Sequence, residues 1–68
     1  MSFQLFELYN TQSNQFTSKL ITEFKRKPSI RSFKKHIPDI EDNHVDNIMN
    51  EYITCITDKF YLLKRIEL

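Results

Sequence analysis

The 68 residues hold few side chains able to do chemistry, and these fall into three groups. Cys55 is the only cysteine. A nucleophilic thiol needs a lowered pKa and a nearby base, but the residues four positions away are Glu51 and Lys59. Cys55 reads instead as a small, apolar, structural residue. The second group is His36 and His44 with the carboxylates Asp39, Glu41, Asp42 and Asp46. The two histidines flank a proline turn, and neither has a second histidine or a cysteine three or four residues on, so a surface or capping role is expected. The acids lack the alternating ligands and turn glycine of a calcium loop. They suit the solvated start of a helix, where negative charge meets the positive end of the dipole. With no glycine in the chain, no backbone phosphate cradle can be argued. No catalytic group, metal or cofactor is expected, and the chain reads as non-enzymatic.

The third group is basic. Lys25, Arg26, Lys27, Arg31, Lys34 and Lys35 form the strongest polar signal in the chain. They could meet nucleic-acid phosphates or an acidic partner. The segment after them, Asp39 to Asp58, carries six acids and no lysine or arginine. The N-terminal turn of a helix placed there would repel phosphates through Glu41, Asp42 and Asp46. Nucleic-acid binding is therefore the second reading of this cluster, behind a solvated rim that steers a protein partner.

The elements that position these groups read as helices. Counted at 100° per residue, Ile48, Met49, Tyr52, Ile53, Ile56, Phe60, Leu63 and Ile66 share one face. Leu5, Leu8, Tyr9, Phe16 and Leu20 share another face nearer the N-terminus. The pattern predicts an all-α fold. Two long antiparallel helices, about 2–26 and 41–67, are joined by a short helix over about 29–37. Pro28 and Pro38 bound the short helix, with Ser29 as a cap. Asp39 or Asp42 caps the last helix. The polar stretch 10–15 leaves two forms of the first helix open. It runs through without a break, or a short N-terminal arm is followed by a loop and a second helix from near Ser13.

A single domain this short buries only about 60% of its unfolded surface, and no disulfide supplements the core. Two helices alone leave apolar surface wet, so completion as a helical bundle, by homodimerisation or by another protein, is expected. The expected contact is the apolar C-terminal end, formed by Cys55, Phe60, Tyr61, Leu62, Leu63 and Ile66. The alternative is that the N-terminal arm folds over it.

No run of about 18 apolar residues could span a membrane. The first residues lack a basic, small-residue signal pattern, and a lone cysteine fits a reducing compartment. The expected location is the cytoplasm. Residue types with AT-rich codons (Phe, Tyr, Met, Ile, Asn, Lys) number 31, against 5 for Gly, Ala, Arg and Pro. This suggests an AT-rich genome. The resulting expectation is a small regulatory or inhibitory protein acting by protein–protein interaction, in the manner of a viral or phage accessory protein or a small bacterial regulator.

Overall fold

A computed structural model describes residues 1–10, 13 and 15–67. It overturns the all-α expectation. The elements run β1 (Ser2–Asn10), β2 (Phe16–Phe24), α1 (Ile30–Lys34), α2 (Asp42–Met49), β3 (Thr54–Ile56) and β4 (Lys59–Ile66). The strands form one antiparallel sheet in the order β2-β1-β4-β3. The span expected as a helix over 2–26 is a hairpin. Its possible continuity through 10–15 falls partly on Thr11, Gln12 and Asn14, which lie outside the described residues. The span expected as a helix over 41–67 holds an eight-residue helix and a second hairpin. Helices of five and eight residues cannot make a long antiparallel bundle.

The strand preference has a local cause. Alanine, the best helix former, is absent. The segments 16–24 and 53–66 are rich in Thr, Ile and aromatic residues, which fit a pleated surface. Side chains alternate between the two faces of a strand. On β1, Phe3 and Leu5 are buried, while Gln4, Phe6 and Leu8 point to the opposite face. On β4, Tyr61 and Leu63 are buried, while Phe60 and Leu62 point away. The register aligns the two strands face for face, with Leu5 opposite Leu63 and Phe6 opposite Leu62.

The core fills one side of this sheet. Phe3 and Leu5 from β1, Tyr61 and Leu63 from β4, and Ile56 from β3 meet Phe33 of α1 and Ile48 of α2. Ile37 and Ile40, from the turn between the helices, complete the cluster. An irregularity in the β1–β2 ladder opposite Leu5 and Phe6 inserts Ile21 as an extra residue and turns it toward this core. The Phe24 ring meets Phe33 edge-on at 5.5 Å. The helices thus cross one face of the sheet, from the β2 edge to the β3 edge. Among the described residues, no element covers the other face.

The helix ends are closed by backbone and side chain. Ser29 is the N-cap of α1, and its Oγ lies 3.4 Å from the Ser32 amide. The N-cap of α2 is Glu41, rather than Asp39 or Asp42, and its amide donates to His44 Nδ1 at 3.0 Å. At the other end, the Glu51 amide donates to the Ile48 carbonyl (3.0 Å) and the Tyr52 amide to the Asn47 carbonyl (3.1 Å). This pair of bonds is a Schellman closure. It places Glu51 at φ 63°, where glycine is usual.

The β3–β4 turn also needs left-handed backbone. Thr57 (φ 48°) and Asp58 (φ 65°) are both positive, as a two-residue type I′ hairpin requires. Asparagine and glycine normally occupy these places, and a β-branched threonine is the less suited of the two residues present. Replacing the pair by Thr57→Asn with Asp58→Gly is expected to stabilise the fold by about 1–2 kcal/mol, the cost of left-handed backbone in L-residues. Urea unfolding monitored by circular dichroism measures this. A midpoint that stays put or falls would rule out strain in this turn.

Candidate functional site

The uncovered face is built by three long strands and the tip of β3. Ladder register arranges its side chains in cross-strand rows. One row runs Glu23 (β2), Gln4 (β1), Lys64 (β4). The next runs Leu20, Phe6, Leu62, and a third runs Ser18, Leu8, Phe60, Cys55. The face is therefore apolar through its middle and charged at one end, negative on the β2 side and positive on the β4 side. Gln4 Nε2 lies 3.4 Å from Glu23 Oε2. Lys64 Nζ sits 5.7 Å from the centre of the Phe6 ring, a cation–π placement.

Away from the charged row, Leu8, Phe16, Ile53 and Phe60 line a groove of about 300 Å³. Leu8 is on β1, with Phe16 on the β2 side and Phe60 and Ile53 on the β4–β3 side. Every lining residue is apolar. Phe16 is 72% exposed, Ile53 61%, Leu20 50% and Phe60 42%. Taking about 200 Å² for a fully exposed large side chain, these four leave roughly 450 Å² of apolar surface wet. Patches of about 300–600 Å² are the largest that monomers usually carry, and they are often functional.

The residues expected to form a C-terminal contact patch divide between the two faces. Phe60, Leu62, Cys55 and Ile66 belong to the open face or its border. Tyr61 and Leu63 are core. Helical counting puts Phe60, Leu63 and Ile66 on one stripe with the others wrapped around it, whereas strand alternation sends every second residue to the other side. The open face also draws on residues that helical counting did not bring together with them: Phe6, Leu8, Phe16 and Leu20. Cross-strand register, which local spacing does not record, is what brings them together.

Of the basic residues, Lys25, Arg26 and Lys27 lie in the connection after β2. Arg31 and Lys34 are on α1, and Lys35 is its C-cap. All six are exposed. They belong to the helical side of the molecule and its margin, away from the apolar rows.

The remaining polar groups are engaged locally. His44 closes the start of α2, and the exposed His36 meets the Phe24 ring edge-on at 6.0 Å. Among the described residues, no three His, Cys, Asp or Glu side chains come together as an ion site. Cys55 is free and exposed, not buried. Burial pushes the Tyr61 phenol above its ordinary pKa of 10.0, and the negative charges of Glu7 and Asp39 add to this. No family model, curated protein or solved structure matches the chain.

Two substitutions separate the faces. Leu63→Asp buries an unpaired charge and removes a core side chain, costing about 4 kcal/mol or more. That is comparable with the whole stability of a domain this small, so loss of the far-ultraviolet spectrum is expected. Leu20→Asp on the open face should leave the far-ultraviolet spectrum of the folded chain nearly unchanged; equal loss of the spectrum from both would refute the assignment of faces.

Tyr61 gives the fold a pH dependence. Above pH 10.0 the unfolded chain loses this proton while the folded chain keeps it. Stability then falls with rising pH between the unfolded and the folded pKa. Tyr61→Phe should flatten that decline in a comparison of thermal midpoints from pH 9 to 11, and parallel curves for the two proteins would contradict it.

Proposed function

We propose that this chain is a small non-enzymatic protein that acts by binding another protein, or itself, through the open face of its sheet, in a regulatory or inhibitory role. The observation that carries this reading is the wet apolar centre of that face, from Leu20 across Phe6 to Leu62 and down to the Phe16–Phe60 groove. A standard interface buries about 800 Å² per partner, a little over half of it apolar. The apolar surface left exposed here is of that order. The charged row at one end supplies the polar rim that fixes orientation. The exposed thiol of Cys55 fits an intracellular setting. The residue composition, rich in types with AT-rich codons, suits an accessory protein of a virus or phage, or a bacterial regulator.

A second reading draws on the six exposed cations between Lys25 and Lys35. They could follow a nucleic-acid backbone. Their number is modest, and the acidic start of α2 lies close by in the chain.

One experiment separates the two. A photoreactive residue is placed at position 20, and in a second protein at position 34, and each is irradiated in the native host. Protein adducts from position 20, absent at position 34, are expected. Nuclease-sensitive adducts from position 34 alone would favour the second reading, and no protein adduct from position 20 would sink the first.

A further inference from the structure

The sheet offers a partner two kinds of surface, its edges and its open face, and the edges are poorly suited. The outer edge of β2 is broken by the extra residue Ile21, which divides the strand into Phe16–Leu20 and Thr22–Phe24 and flips the side-chain alternation between them. An added strand could stay in register with only half of it. The edge of β4 beyond β3 is occupied in part by Glu51, whose Oε1 accepts from the Arg65 amide at 3.2 Å. The face remains.

We propose that the face is covered by a second copy of this chain, stacked sheet on sheet about a twofold axis that runs along β1. This rests on the reading of the open face as a contact surface. The pattern of the face carries the argument. Glu23 and Lys64 share one cross-strand row and flank the β1 residue Gln4 on opposite sides. A twofold axis parallel to the strands leaves β1 over β1 and exchanges β2 with β4. Glu23 of each copy then faces Lys64 of the other, giving two equivalent charge pairs. The same operation lays Leu20 over the second copy's Leu62 and Phe6 over Phe6. It carries Phe16 to the Ile53–Phe60 side of the facing groove. An axis in the same plane but across the strands does the opposite, setting the charged row against Ser18, Leu8 and Phe60. The chain's own charge pattern selects the first arrangement.

Area and geometry agree with it. Roughly 450 Å² of exposed apolar surface per copy, from four side chains alone, approaches what a standard interface needs. Twisted sheets stack about 10 Å apart with strands within about 30° of each other. The product is a closed, self-complementary pair with helices on both outer faces and the apolar rows inside.

Charge reversal tests this on the full chain. Light scattering and sedimentation should give the wild-type protein a mass of twice 8.3 kDa, dissociating on dilution. Glu23→Lys and Lys64→Glu should each weaken self-association about tenfold or more, since each sets like charges face to face twice. Both residues are exposed, so circular dichroism should stay unchanged. An equimolar mixture of the two variants should restore the dimer, because positions 23 and 64 then carry opposite charges across both contacts of the mixed pair. The double variant should self-associate like wild type for the same reason. A wild-type chain that stays monomeric to several hundred micromolar overturns the proposal, as do single variants that associate normally or a mixture that fails to recover. Monomeric protein that still forms adducts with other proteins from position 20 removes the second copy and leaves the contact surface standing. A monomer without such adducts removes both.

Discussion

The pairing of β1 with β4 is the interaction on which everything else rests. It joins the N-terminal strand to the C-terminal one, with Phe3 opposite Arg65 and Leu8 opposite Phe60. Only when it forms do Leu5 and Leu63 meet to give the helices a floor, and only then do Phe6 and Leu62 meet to make the open face continuous. Both layers are consequences of one ladder. Its contacts are the most distant in the chain, so their closure entropy must be met before the core rewards it. The two hairpins and the helical crossing supply local structure, but neither hairpin has a complete core alone.

This dependence explains how much of the fold was legible in the sequence. The short helix after Pro28 begins at Ser29, where proline and serine placed it, but it ends at Lys34, short of the expected residue 37. A helix does begin after Ile40, close to where the acids suggested. The strands were hidden for two reasons. β1 and β4 are apolar on both faces, so the alternation that marks a half-buried strand is lost. Their spacings, such as Leu5, Leu8, Tyr9 and Ile56, Phe60, Leu63, imitate one face of a helix. The turns were also silent. The chain has no glycine to mark them, and Glu51, Thr57 and Asp58 take the backbone that glycine usually supplies. The absence of alanine and the Ile- and Thr-rich C-terminal segment were the propensity signals that pointed the other way.

The site was legible in part for the same reason. The C-terminal apolar run did contain face residues, Phe60 and Leu62 among them. Period alone decided which neighbours joined them and which went to the core. Phe6, Leu8 and Leu20 become their neighbours through cross-strand register, which has no trace in local spacing. The basic segment was identified by composition and is exposed as composition implies, but it stands apart from the apolar rows.

Glu51 has a wider role than closing a helix. Its backbone takes the left-handed turn that ends α2, and its carboxylate holds the amide of Arg65 on the rim of the sheet. Fraying of the last helical turn would withdraw that acceptor, and peeling of the rim would release the residue that terminates the helix. The two local openings therefore draw on a shared free energy instead of occurring independently. One side chain thus makes the helical layer and the strand layer loosen together.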